Sequence, residues 1–220
     1  MEVVSNSLKK IKIKFSLFFV LFVAALFLFA VAASRQQLRQ ATSITVSIAG
    51  MPVLQKIAAF IDGDKYERLA QTLDETDPFY IETQEKIRAT RSNTHCLYLY
   101  TMAPYTQDVH HFIFDSEPPG SENFSPLGAE EDISDYIIDY RRTYENKTPQ
   151  FTPLMFQSKW GRLISAYMPI LNSNGDAVGI IGIDFEGQNI YDAIFINALR
   201  QISFSLVFII IGMFIYFYLL

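Results

Sequence analysis

The sequence predicts an α+β domain with an antiparallel sheet and a long N-terminal helix, flanked by two transmembrane helices. Half of the 220 residues are hydrophobic and 15% are aromatic, which is a high share for one small domain. This excess is concentrated in two uncharged runs, residues 15–33 and 202–220. Between the runs, segments with helical periodicity alternate with two segments in which apolar residues recur at every second position.

Each terminal run is long enough to cross a bilayer. As a helix it reaches about 28 Å, close to the hydrocarbon thickness of about 30 Å. The alternative for the first run is a cleaved signal peptide, because Ala30-Val31-Ala32 has the small-x-small pattern of a cleavage site. The expected segments are a cytoplasmic N-terminus at 1–14, a first span at 15–33, one extracytoplasmic domain at 34–201 and a second span at 202–220.

Charge indicates the orientation and excludes one class of partner. Basic flanks stay on the cytoplasmic side of a membrane, so we expect the N-terminus inside and the domain in the periplasm or outside the cell, anchored to the inner membrane. The domain holds 22 of the 23 acidic residues and 14 of the 18 basic ones, and this negative balance excludes nucleic acid as a partner. The charged residues before the first run are Glu2, Lys9, Lys10, Lys12 and Lys14.

Three helices are predicted in the first part of the domain. Residues 35–60 read as a long helix that is interrupted only by Pro52. After a turn, Asp64 is the expected N-cap of a short second helix. Asp77, placed before a proline, is the expected N-cap of a third helix, with Ile81 among its inward residues.

Two hairpins predict four antiparallel strands. The first pairs residues 95–102 with 109–115 through a loop at 103–108, and the second pairs residues 160–171 with 177–185. Residues 116–158, here called the excursion, connect the hairpins and are largely polar. We expect a helix in the excursion from Glu130 to about Tyr144, and a last helix that runs from Glu186 into the second apolar run.

Two stretches of the second hairpin resemble a known family. Residues 159–170 (KWGRLISAYMPI) and 174–184 (NGDAVGIIGID) are similar to the second half of Cache domains, extracytoplasmic sensors with a PAS-like fold. The pieces at 61–64, 97–100 and 112–115 are similar to what precedes that half in bacterial members. The resemblance covers most of residues 35–200.

The resemblance implies a homodimeric membrane receptor that senses a small molecule and signals through the second span. Its cytoplasmic output would be of the chemoreceptor, histidine kinase or diguanylate cyclase type, and we expect that output outside these 220 residues. A ligand would close the excursion over the sheet and displace the helix after Asp184. The rival interpretation is a protein-interaction or dimerisation module without a small-molecule ligand.

Strand alternation selects the candidate ligand-binding residues. Asp184 shares its strand face with Gly182, whose missing side chain leaves room for a ligand. Cache-like domains that bind amino compounds often use the acid after this strand for the ammonium group. Asp115 also ends an apolar strand, and either acid could instead cap the next element. The remaining candidates are aromatic, hydroxyl or basic side chains on the predicted strands: Tyr98, Tyr100, Trp160, Arg162, Ser165 and Tyr167.

The ligand class stays open between amines, amino acids, carboxylates and metal ions. Arg162 could pair with a ligand carboxylate or be a solvated strand-end residue. Amino-acid-binding relatives place an arginine two residues before the tryptophan, where this chain has Ser158, followed by Lys159. No cofactor or metal signature is present in the sequence. His110 and His111 cannot chelate one metal ion together, because they would point to opposite strand faces. No catalytic arrangement is present either, so we expect no enzyme activity.

Overall fold

The structure, a computed structural model, describes residues 2–104 and 109–219. Residues 105–108 of the predicted hairpin loop lie outside the described residues. The chain divides into two compact units. One comprises the residues up to Arg39 together with those from Ile190 onward, and the other is Gln40–Asn189.

The first unit contains most of two long apolar helices, α1 (Glu2–Ile44) and α6 (Gln188–Leu219). The segments Lys10–Thr42 and Gln188–Tyr216 are long and apolar enough to cross a membrane. Within this unit the Phe19 ring lies over Gly212, in space that a side chain at position 212 would need. A small residue at such a point lets two apolar helices approach closely.

The second unit begins with the helices α2 (Met51–Ala58), α3 (Gly63–Thr72) and α4 (Pro78–Ser92). A π-helical turn at Thr45–Gly50 joins α1 to α2 directly before Pro52, which has no N–H to donate. The predicted cap of α3 is wrong by two residues. The Asp62 carboxylate, not that of Asp64, accepts hydrogen bonds from the backbone N–H groups of Asp64 and Lys65, both at 3.1 Å.

The third predicted helix begins as expected, with Asp77 Oδ1 accepting from the Phe79 N–H at 2.8 Å. Ile81, which was expected to face inward, is 51% exposed. The buried face of α4 instead carries Gln84, whose side chain binds the backbone of Asp115 at both its carbonyl and its N–H. A polar contact with a distant strand thus sets which face of α4 is buried.

Seven strands form one antiparallel sheet within the described residues, in the order β3-β2-β1-β7-β6-β4, with β5 also paired to β6. The predicted class, α+β with an antiparallel sheet and a long N-terminal helix, is confirmed. The strands are β1 (Tyr98–Pro104), β2 (Val109–Asp115), β3 (Glu130–Asp132), β4 (Gln150–Phe151), β5 (Met155–Gln157), β6 (Gly161–Leu171) and β7 (Ala177–Glu186).

The helix expected from Glu130 is wrong at its start. Residues 130–132 form β3, in which Glu131 lies opposite His110 of β2, and α5 begins only at Ile137 and ends at Asn146. The three acidic residues at 130–132 favour the first turn of a helix, where the helix dipole stabilises negative charge. Pairing with the edge of β2 is a tertiary contact that the local pattern does not show.

The two faces of the sheet are covered differently. On the helix side, α3 and α4 place Tyr66 and Phe79 against Phe114, with ring centroids 6.0 and 5.9 Å apart. On the other side, here called the cleft side, Tyr136 and Tyr140 from the excursion pack in an aromatic cluster with strand residues. The candidate site lies on this cleft side.

Candidate ligand-binding site

Strand register places most of the predicted site residues in one patch. Tyr98 and Ser165 both lie opposite Asp184, from the strands on either side of β7. Tyr100 and Tyr167 flank Gly182 in the same way. Directly opposed residues in neighbouring antiparallel strands share a face, so these side chains all belong to the cleft side.

A β-bulge adds Asp115 to this patch. Tyr100 pairs with Asp115, but the register then shifts, so that Met102 pairs with Phe112. In a regular strand, residues 112 and 115 would lie on opposite faces. The one extra residue brings both onto the cleft side, which is a known use of bulges beside binding sites.

A cavity opens above this patch; the non-atom space there is about 330 Å³, part of which is open solvent. We call it the Asp184 cleft. Five of the predicted residues line it: Tyr98, Tyr100, Asp115, Trp160 and Asp184. Five further lining residues were not predicted: Phe112, Asn123, Ser125, Tyr136 and Gln157.

Asp184 is the most unusual group of the cleft. The residue is only 3% exposed, and its Oδ1 has no hydrogen-bond partner among the described residues. Burial raises the pKa of this carboxyl to about 7, although hydrogen bonds with Ser165 and Tyr100 act in the opposite direction. A nearby cation would favour the ionised form and lower this pKa.

The space beside Gly182 is not open to a ligand, contrary to the expectation from the sequence. A side chain at position 182 would collide with the Tyr100 ring, which fills the space above the glycine. The glycine therefore lets Tyr100 lie flat against the sheet next to Asp184. The open volume is farther out, between Asp184 and the excursion.

Asp115 organises the start of the excursion. Its Oδ1 accepts from the Glu117 N–H at 2.9 Å, and its Oδ2 accepts from the Ser125 N–H at 2.7 Å. Burial nevertheless raises the pKa of this carboxyl. Asp115 thus ties two points of the excursion to the end of β2 and at the same time adds a second buried carboxylate to the cleft.

Trp160 forms an aromatic wall with Tyr98, with ring centroids 5.2 Å apart in an edge-to-face arrangement. The indole N–H donates to Glu131 Oε1 at 2.6 Å, and Lys159 Nζ lies 2.7 Å from Glu131 Oε2. Glu131 is only 4% exposed and was not predicted as a site residue. Its pairing in β3 is what brings the carboxylate to the indole.

Three predicted residues do not line the cleft. Ser165 and Tyr167 are fully buried beneath it, where Tyr167 packs against Tyr140 with centroids 5.5 Å apart. Arg162 is on the other face of β6 by alternation. Its Nη1 donates to Gln188 Oε1 at 3.2 Å, and its guanidinium lies 5.8 Å from the Phe156 ring centroid.

The unpredicted lining residues came from two sources. Phe112 needed the bulge in β2, whose position no sequence pattern marks. Asn123, Ser125, Tyr136 and Gln157 belong to the excursion, which was expected to cover the sheet without any residue being singled out. The polar character of that segment was the signal that could have directed attention to it.

No protein-family model matches the sequence, and no curated protein matches it. Several solved structures are similar. The ligand-binding domain of the Campylobacter jejuni chemoreceptor Tlp3, in complex with L-valine, is 13% identical with a TM-score of 0.41, and the match covers 78% of this chain and 66% of that one. The sensor domain of the V. cholerae histidine kinase DctB is 13% identical with a TM-score of 0.46, over 70% of this chain and 55% of that one.

An extracellular ligand-binding receptor from Desulfohalobium retbaense is 14% identical with a TM-score of 0.45. That match covers 76% of this chain and 27% of the receptor. The chain thus spans less than two thirds of the length of these structures. Sensory domains of chemoreceptors and histidine kinases are among the structures to which it is similar.

Proposed function

We propose that this chain is the sensing part of a membrane receptor, and that its domain binds a small ligand carrying an ammonium group in the Asp184 cleft. One observation carries the proposal: a carboxylate that is almost fully buried, with an unpartnered oxygen, faces a cavity. Burying such a group without a partner is costly. A cationic ligand would supply the missing partner.

The walls of the cleft fit the same ligand. Tyr98, Tyr136 and Trp160 line it together with Asp184, so that a cation held by the carboxylate is surrounded by aromatic rings. Each ring face offers a cation about 0.5–2 kcal/mol. Charge-assisted hydrogen bonds to the carboxylate are stronger than neutral ones. Affinity for an ammonium group follows from these two terms together.

The membrane arrangement is part of the proposal. Two apolar helices and a lysine-rich N-terminal flank support an N-terminus in the cytoplasm and a domain, within residues 34–201, in the periplasm. Helix α6 begins at Gln188, just after β7 ends at Glu186. The strand that carries Asp184 is therefore followed directly by the helix that would transmit the signal.

The binding test uses the full chain in lipid nanodiscs. Trp160 is the single tryptophan, so its emission reports on the cleft, and calorimetry gives the affinity. A panel of ammonium compounds is compared with neutral compounds of equal shape. We expect ammonium compounds to bind, Asp184→Asn to lose them, and Asp176→Asn, at an exposed turn residue, to retain them. Absence of binding by every ammonium compound would contradict the proposal and favour an interaction module without a ligand.

The signalling test uses a chimera in which this chain is joined to the cytoplasmic part of a histidine kinase. A flexible Gly-Ser insertion after Gly187 should abolish the response to ligand and leave affinity unchanged, because it separates β7 from α6. A substitution of Gly187 is not a suitable control, since Leu154 packs against it. The same insertion in the exposed turn at Asn174 serves instead. An unchanged response to the first insertion would refute this route.

A further inference from the structure

The charged groups around the Asp184 cleft indicate which ligands with an ammonium group can bind and which cannot. We propose that the cleft accepts amines without a carboxylate and excludes α-amino acids. This inference rests on the proposed function, since it concerns the same cavity. It is based on two observations: acidic side chains line the cavity, and the nearby basic side chains do not.

The lining itself carries only negative charge. Asp115 and Asp184 are both more than nine-tenths buried, and the other eight lining residues are neutral. No lysine or arginine is among the residues that the structure places in the lining. A ligand carboxylate would have to leave water beside two buried carboxylates, and like charges so close together strongly oppose binding.

The basic side chain nearest in sequence to the aromatic wall lies outside the lining of the cleft. Lys159 forms a salt bridge with Glu131 and lies with Nζ 4.3 Å from the Trp160 ring centroid. It lines a second, adjoining cavity together with Glu131. The two cavities share Tyr136, Gln157 and Trp160, and the Lys159 charge is compensated in the second cavity by the Glu131 carboxylate.

Two arginines of the neighbouring elements are engaged elsewhere. Arg162 interacts with Gln188 and Phe156 on the other face of β6. Arg91 of α4 lies 2.8 Å from Glu117 Oε1 and donates to the Leu97 carbonyl at 3.0 Å. Arg88, also on α4, does not line the cleft, and its charge acts on Asp115, whose pKa it lowers. Ser158, which precedes Lys159, is bound to Asp135 through both its N–H and its hydroxyl.

What remains in the lining suits an amine. Asn123 and Gln157 offer neutral amide groups, and Tyr98, Tyr136 and Phe112 offer ring surface. These groups can hold hydroxyl, ether or hydrocarbon substituents of an amine without any charge. The cleft therefore resembles half of an amino-acid site, the half that binds the ammonium group.

The test compares amino acids with their decarboxylated forms on the full chain in nanodiscs, by calorimetry and by Trp160 emission. The pairs are alanine with ethylamine, valine with isobutylamine, and phenylalanine with phenethylamine. Valinamide is the decisive control, because it keeps the bulk of valine and removes its negative charge. We expect isobutylamine and valinamide to bind, and valine to bind about a hundredfold more weakly or not at all.

Two results would overturn the inference while the proposed function stands. The first is valine binding within about tenfold of isobutylamine. The second is rejection of valinamide together with valine, which would make the exclusion steric. If neither the amines nor the amino acids bind, or if Asp184→Asn binds its ligands as well as the natural protein, the proposed function itself fails. The two failures are therefore distinguishable.

A gain-of-function variant tests the electrostatic basis directly. Asn123 lines the cleft from an exposed position, so Asn123→Lys can place a cation at its mouth without disturbing the core. We expect valine affinity to rise about tenfold and isobutylamine affinity to fall, whereas in the matched variant Asn123→Gln, which adds no charge, the ratio of the two affinities should stay as in the natural protein. A ratio of the two affinities that is the same in Asn123→Lys as in the natural protein would contradict the inference.

Discussion

The two faces of the sheet differ in what the chain packs against them. On the helix side, Phe114 is 1% exposed and is enclosed by the rings of Tyr66, Phe79 and Tyr80. On the cleft side, the buried Asp184 carboxylate lies beside a cavity, and its Oδ1 lacks a partner among the described residues. Most buried polar groups in native proteins are paired, so an unpaired group beside a cavity indicates a place for something from outside.

The comparison predicts that one face determines stability and the other affinity. The largest effect is expected for Phe114→Ala, which removes a buried ring from the helix side and should lower the free energy of unfolding by about 3–5 kcal/mol. Phe151→Ala, at a ring that is about half exposed, is the matched control and should cost well under that. Denaturant unfolding of the full chain in detergent measures both. An equal loss in the two variants would contradict the assignment of stability to the helix side.

The second prediction concerns pH. Asp184 has a folded-state pKa of about 7, above the ordinary value of 3.8, so between these values the folded state binds a proton that the unfolded state releases. The stability of the ligand-free protein should therefore fall as pH rises from about 4 to about 7, by at most about 4 kcal/mol, and change little above.

In Asp184→Asn that fall should be smaller, because the amide does not titrate, whereas Asp115, whose pKa is also raised by burial, still does. The variant should be at least as stable as the natural protein at neutral pH, as expected when a buried carboxylate with one unpartnered oxygen is replaced by a neutral group of the same shape. Unfolding titrations at a series of pH values compare the two proteins. A fall of equal size in the variant would assign the effect to another group.

The third prediction is for affinity. Asp184→Asn should weaken binding of an ammonium ligand by about a hundredfold, which corresponds to roughly 3 kcal/mol for a buried charge pair. For the natural protein, affinity should also decrease as pH falls below about 7, because protonation removes the negative charge. Calorimetry at two pH values, one on each side of 7, checks both statements. A natural protein whose affinity is the same at the two values would contradict the role of the Asp184 charge.

The smallest effect is expected at the aromatic wall. Glu131→Gln keeps the shape of the side chain, but Trp160 and Lys159 donate to different carboxylate oxygens, and the amide has an oxygen at only one of these two positions. Ligand affinity should fall by about tenfold, with a change in Trp160 emission. Glu130→Gln, at the neighbouring and exposed position of β3, should change neither. Equal behaviour of the two variants would show that Glu131 does not position the indole.

The sequence was most informative where the pattern is local. The strand at Val109–Asp115 and the cap at Asp77 follow from alternation and from the aspartate-proline pair. The sequence was least informative where contact with a distant segment determines the local conformation. Glu131 is acidic and lies before a helix, yet pairing with His110 makes it part of a strand and brings it to Trp160.

The candidate site shows the same division. Tyr98, Tyr100 and Asp184 were selected because every second residue of a strand shares a face, and their strands proved to be neighbours. Tyr167 satisfied the same rule but lies beneath the cleft, because alternation does not tell how deep a residue is. Arg162 was selected for its charge, and alternation from Ser165 already places it on the other face.

By itself, the sequence determined the α+β class, the two apolar helices, the acidic character of the domain and the strand that carries Asp184, because these depend on composition and on short-range periodicity. Only the tertiary structure decided which side chains surround that carboxylate. The bulge that brings Asp115 to the cleft side, the edge pairing of Glu131 and the salt bridge between Glu131 and Lys159 all depend on contacts between distant segments. Those contacts leave the cleft with two buried acids and no base in its described lining, which is the basis of its proposed preference for amines.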